Sequence, residues 1–327
     1  MRLLIFLFFV LFFYSCVNDE INNVDLEIGR FERSLFKISQ DNKDSVLIIL
    51  HDSFPIFNEI FETKIIRRGN MNDFEYANEL LAFTTHSDML EAYDSTQIIF
   101  NDISNFKKQL DNAFSKVLYF FPDLEVPNIT TFFGGFNYGV IAYEDNIAIG
   151  LENFLGYKSK FYSFLRDPDY LRFQKQKKFI LSNLLEVFFY ENFKNNTIEM
   201  DFLSRMIYKG KAMYFIDKML ADVSLEDKFR FSRSEMQWVK ENEYYIWQYF
   251  MEKELLFSNV EKDFRTFLNY SPFAKGMSQE SPGRIAYYIG YNIISSYIKE
   301  TGVSINQLMK YNDPQKILKD SKYKPRK

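Results

Sequence analysis

Residues 128–151 read NITTFFGGFNYGVIAYEDNIAIGL. β-Branched and aromatic side chains dominate the stretch, a composition that suits a packed, pleated surface better than a helix. Gly134-Gly135, Gly139 and Glu144-Asp145-Asn146 cut it into short runs. It therefore predicts two or three short antiparallel strands, the last pair turning at residues 144–146. The segments on either side carry helical period. The expected class is thus mostly α (α+β), a multi-helix domain with one small antiparallel β-sheet around residues 128–151.

Upstream, residues 45–51, 56–66, 74–85 and 103–121 place apolar residues three and four positions apart. In the last of these, Phe106, Leu110, Phe114, Val117 and Phe121 form one face, and Pro122 ends it. Downstream of Pro168, helical candidates cover residues 173–193, 198–220, 234–257 and 260–268. Ser232 with Glu235 three positions on makes a capping pair. Ser281-Pro282-Gly283-Arg284 predicts another helix with proline at its first position, running to Glu300 and stopped by Gly302. The low counts of Pro (8) and Gly (12) favour long helices over a loop-rich β architecture. Neither a repeat nor a low-complexity linker divides the chain, so residues 26–320 are expected to form one domain, followed by a basic tail at 321–327.

The N-terminus carries a different message. Residues 1–16 read MRLLIFLFFVLFFYSC: one early charge at Arg2, then an unbroken apolar run from Leu3 to Tyr14, then Ser15 and Cys16. The run is too short to cross a bilayer as a helix, which takes about 20 apolar residues. It has the form of a secretory signal peptide, residues 1–15. Cys16 is the only cysteine in the chain, so no intrachain disulfide exists. The expectation is a lipoprotein: Cys16 becomes the acylated first residue, bearing a covalent diacylglycerol and an acyl chain, with no other cofactor. Residues 16–25 form a polar, acidic tether including Asp19 and Glu20. The domain is expected in the cell envelope, held by its lipid to the inner or outer membrane after export.

Lys+Arg number 40 against Asp+Glu 44, a net charge of −4, which offers no basic balance for nucleic acid. Aromatic residues reach 19%, with Phe 37 and Tyr 22, without marking any one ligand surface. A helical fold with a small sheet is compatible with a zincin-like arrangement, which needs two histidines one helical turn apart and a glutamate as base. Only His51 and His86 occur, in separate segments. The helix after the sheet, where such a motif would lie, reads FILSNLLEVFFY; its Glu186 is read as a helix-face charge. A GxSxG elbow, a Walker loop and a dinucleotide fingerprint are likewise missing. The sequons at Asn128 and Asn195 carry little meaning in a bacterial lipoprotein. One segment remains suggestive: Glu280, Ser281, Gly283 and Arg284 are expected to put a serine cap, free amides and a cation at a helix N-terminus. Glu280, Glu241 or Glu243 is the expected partner of Arg284, either in a structural polar network or in an interaction site.

Further pieces of the chain form an ordered set. They are Arg30-Phe31-Glu32, residues 119–122 (YFFP), residues 206–211 (MIYKGK) with Tyr214 and Asp217, and Trp238 with residues 241–243 (ENE). Ile246-Trp247, Tyr249-Phe250, residues 280–285 (ESPGRI), Ile289-Gly290-Tyr291 and Tyr323-Lys324-Pro325 follow. With the N-terminal leader, this set resembles the gliding-motility lipoprotein family GldB across essentially the whole chain. The first piece stands where the family usually has Arg-Phe-Asp. The resemblance implies an accessory lipoprotein of the envelope machinery for gliding, which is linked to a secretion system that exports surface adhesins. The family is also distantly similar to predicted zinc proteases with HExxH, whose ligands this chain lacks. The expected function is a non-enzymatic interaction component with envelope proteins as partners; the alternatives are a degenerate or divergent metalloprotease-like hydrolase of the envelope and a binder of peptidoglycan or anionic glycan at the Ser281 helix end.

Overall fold

A computed structural model describes residues 23–195 and 200–327. The expected leader, the acylated Cys16 and residues 16–22 of the tether lie outside the described residues. The N-terminal helices are α1 (Phe31–Leu35), α2 (Lys43–Ser53), α3 (Pro55–Ile60), α4 (Tyr76–Thr85), α5 (Ser87–Phe100) and α6 (Ser104–Phe120). A π-helical segment, Phe61–Ile66, prolongs α3. The segments anticipated around 45–51, 56–66, 74–85 and 103–121 are all helical, whereas α5 was not anticipated. On α6, Leu110, Phe114, Val117 and Phe121 are buried and Phe106 packs at their margin.

The sheet has four strands: β1 (Ile28–Arg30), β2 (Ile129–Phe132), β3 (Val140–Tyr143) and β4 (Asn146–Gly150), in the order β1-β2-β4-β3. β3 and β4 form the expected hairpin, with Val140 opposite Ile149 and Tyr143 opposite Asn146. The rest corrects the antiparallel expectation. β2 pairs parallel with β4, and β1, from the start of the domain, pairs parallel with β2. The reason is that β4 inserts between β2 and β3 instead of continuing a meander. Both faces of the sheet are then covered. Ile147 and Ile149 enter one apolar cluster with Leu110, Phe114 and Leu184. Ala148 enters the other with Phe57, Phe132 and Tyr143. Side chains alternate across a strand, so each face feeds its own core.

After a 3-10 turn at Leu151–Phe154 come the short helices α7 (Lys160–Phe164) and α8 (Asp169–Arg172). Then follow α9 (Ile180–Asn192), α10 (Phe202–Met219), the short α11 (Leu225–Phe229), α12 (Arg233–Glu241), α13 (Glu243–Glu252), α14 (Glu261–Leu268) and α15 (Ile285–Thr301). Finally come α16 (Ile305–Lys310) and α17 (Pro314–Ser321). The helix expected over 234–257 is two helices broken at Asn242, and the one over 173–193 starts only at Ile180, after a 3-10 turn. Ser232 and Glu235 form the expected capping box. Gly302 closes α15 in the left-handed region. No helix among the described residues is long and apolar enough to cross a membrane.

α10 and α15 form the most intimate helix pair. They touch at Gly210 and Gly290: a methyl group on Gly210 would overlap the Gly290 backbone, and one on Gly290 would overlap the Met206 carbonyl. The basic tail is held at Tyr323, whose ring meets Trp247 edge-on at 5.3 Å and whose hydroxyl donates to Glu243 Oε1 at 2.7 Å.

Candidate functional site

The side chains expected to form one polar site at the start of α15 are dispersed. Glu241 is exposed and accepts from Gln237 on its own helix. Glu243 accepts from Asn292 Nδ2 at 2.8 Å as well as from Tyr323. Glu280 is exposed in the preceding loop. Ser281 does not cap the helix; its buried hydroxyl accepts from the Ala274 amide and donates to the Ser278 carbonyl. Pro282 lies ahead of α15 instead of in its first turn, and Arg284 is the cap residue, with φ 60° and no capping side chain. Gly283 is there for contact, since a methyl would press on the Asn269 carbonyl and the Ser271 amide.

Arg284 instead turns inward, to Glu186. This corrects both the pairing with Glu280, Glu241 or Glu243 and the reading of Glu186 as a helix-face charge. Glu186 Oε2 accepts from Arg230 Nη2 and from Arg284 Nη2 (3.4 Å), while Oε1 accepts from Tyr190 (2.6 Å) and Tyr287 (3.1 Å). Arg230 also donates to Asn183 Oδ1 at 2.6 Å, and Arg284 to Tyr270 at 2.8 Å. The Arg284 guanidinium lies over the Tyr287 ring at 3.9 Å. Lys209 donates to the Tyr190 hydroxyl at 2.7 Å, so three cations surround one carboxylate. Burial pushes the Glu186 carboxyl up, but Arg230, Arg284 and Lys209 outweigh it and hold it well below the usual carboxylate range. The Arg230 Nε–H is buried without a partner among the described residues.

The local backbone explains the convergence. Arg230 ends α11 and Arg284 precedes α15, both left-handed at φ 59° and 60°. Each residue sits where the chain reverses and so projects its side chain sideways into the gap beside α9. Left-handed backbone costs an L-residue about 1–2 kcal/mol, and the shared carboxylate offsets it here. Sequence reasoning missed Glu186 although a signal existed. A lone acid in FILSNLLEVFFY sits on a helix that is apolar nearly all round, and such a helix buries its charge.

The zinc test is negative on donor chemistry. HExxH aligned on Glu186 would need histidines at 185 and 189; Leu185 and Phe189 stand there, both fully buried. His51 is on α2 and His86 caps α5, both exposed. No group of three or more His, Cys, Asp or Glu among the described residues is placed to hold a metal ion.

A second buried carboxylate holds the Gly134-Gly135 turn. Glu152 Oε1 accepts from the amides of Gly134 (2.7 Å) and Phe136 (3.0 Å), and Oε2 has no partner among the described residues. Burial pushes its pKa from 4.5 to about 7, against the lowering by those amides. The folded protein therefore holds a proton there that the unfolded chain releases near 4.5. This stabilisation is complete below pH 4.5 and fades as pH rises to about 7, by roughly 3 kcal/mol at 1.36 kcal/mol per unit. Glu152→Gln keeps the acceptor and cannot ionise. Denaturant titrations from pH 4.5 to 8 should show the stability difference between variant and wild type moving in the variant's favour by about that amount.

Neither the curated proteins nor the solved structures hold a match to this chain. A family model described as gliding motility protein GldB matches residues 16–325.

Proposed function

Since the chain belongs to the family of gliding motility protein GldB, a family of gliding-motility lipoproteins, we propose that it is a lipid-anchored, non-enzymatic interaction component of the cell-envelope machinery that moves the cell. Glu186 carries the non-enzymatic part of this reading. In a hydrolase built on this helix it would be the free base; here both of its oxygens are committed to Arg230, Arg284, Tyr190 and Tyr287. The anchor rests on the leader, Ser15 and the solitary Cys16. Each acyl chain adds about 0.8 kcal/mol per buried methylene, so two or three chains hold the domain at the membrane stably. Confinement raises its effective concentration for other envelope proteins. The same reading takes residues 26–320 as a single domain.

The test is complementation. In a strain lacking this protein, wild type should restore spreading, while Cys16→Ser, expressed at equal level, should leave the membrane fraction and fail to restore it. Normal spreading by Cys16→Ser rejects the anchored mechanism. Stoichiometric zinc in the purified wild-type protein rejects the non-enzymatic reading.

A further inference from the structure

Between α10 and α14 lies a cavity of about 340 Å³ whose lining includes Arg205, Lys209, Arg265, Glu261 and Asn269. Arg205 and Lys209 are one turn apart on α10, while Arg265 lies in the last turn of α14 and Asn269 follows the end of that helix in extended conformation, so both segments bring polar groups to the same space. No ion pair joins any of the three cations to an acid among the described residues. Arg205 donates to the Met200 carbonyl at 2.9 Å and lies over the Phe264 ring; Lys209 donates to a tyrosine hydroxyl. Among the described residues of the lining Glu261 is the one acid, which leaves a surplus of two positive charges among them. Behind Lys209 the field is positive too, because Arg230 and Arg284 share the single carboxylate of Glu186. Cations converging on a cleft with low-dielectric walls repel one another and focus an attractive potential on an anion.

We propose that this cavity is a binding site for a phosphomonoester group. A phosphomonoester carries about −1.5 to −2 charges at neutral pH, which matches the surplus. Arginine forks pair with phosphate oxygens in bidentate fashion, and Lys209 and the Asn269 amide supply further donors. The volume falls at the small end of ligand pockets, about 300–1,000 Å³, and admits the phosphate with a sugar-sized body. Phe264 and Leu268 offer that body an apolar wall.

The test is calorimetric titration of the full-length chain in detergent micelles with inorganic phosphate, glucose 6-phosphate and glucose, at low ionic strength. Arg265→Gln and Glu261→Gln change exposed side chains and leave the Glu186 centre intact. Phosphate and glucose 6-phosphate should bind and glucose should not. Arg265→Gln should weaken binding at least tenfold, and Glu261→Gln should tighten it several-fold. A short-chain phosphatidic acid separates the sources: binding more than tenfold tighter than glucose 6-phosphate identifies a lipid headgroup, and the reverse order a soluble phosphomonoester. No binding of any phosphate, equal affinity in both variants, or acetate binding as well as phosphate overturns the site.

Discussion

Glu186→Gln should lower stability by about 3–5 kcal/mol, because it removes the one negative charge between two buried guanidinium groups. Arg230 is 2% exposed and Arg284 3%, so water cannot replace the lost partner. Glutamine is nearly isosteric and can still accept a hydrogen bond, so the loss measures charge and not a cavity. At roughly 2 °C per kcal/mol for a chain of this size, the melting temperature should fall by about 6–10 °C. The pH signature is independent. The folded-state pKa of Glu186 is depressed, so its contribution is present above the unfolded value of 4.5 and is lost as pH falls below it. Wild type should therefore destabilise in acid more steeply than Glu186→Gln. Its slope is opposite in sense to that of Glu152, and chemical denaturation at pH 3, 5 and 8 separates the two. A variant as stable as wild type at pH 7 would show that the centre contributes nothing to the fold.

Gly210→Ala should cost about 3 kcal/mol or more, at the upper end of overpacking penalties, because the added methyl meets backbone, which cannot rotate away. The two helices would have to part, and the apolar contacts along α10 and α15 would part with them. Gly302→Ala provides the contrast. It lies in the left-handed region at φ 70° with nothing within 4 Å of a new methyl, so it should cost only about 1 kcal/mol, the conformational penalty alone. Thermal melts of both variants decide the matter; similar losses would mean the Gly210 contact is looser than described.

How much of this was legible in the sequence depended on whether the signal was local. The β3–β4 hairpin was readable because its turn sits between two β-branched runs. β1 was not: three residues, Ile28–Arg30, become a strand only by pairing with β2 from a hundred positions away. α5 is hard to read because its buried positions are Ala92, Thr96 and Phe100, and a small and a polar residue ahead of one phenylalanine produce no apolar period. The break at Asn242 interrupts two helices that are each amphipathic in their own right, so it left no gap in the pattern. The Arg284 segment reads as chemically unusual, but the sequence alone points to Glu280, Glu241 or Glu243 as its partner. The true partner lies on α9, reached only because two left-handed residues bend their side chains into the same gap.

The way the chain enters the fold governs how it answers a pull. The backbone amides of Leu26 and Val24 donate hydrogen bonds to Asp111 Oδ1 and Ser115 Oγ on α6, both 2.9 Å, and Lys107 grips Asp25. Behind these, β1 lies along the rim of the sheet, and Phe31, wholly buried, is wedged against the rings of Phe54, Phe57 and Phe61. Tension applied from the leader side must first strip a handful of polar ties and one three-residue strand, and is then stopped by an aromatic plug. A mechanical fuse of this kind gives way in small steps at the periphery and spares the arginine-clasped interior.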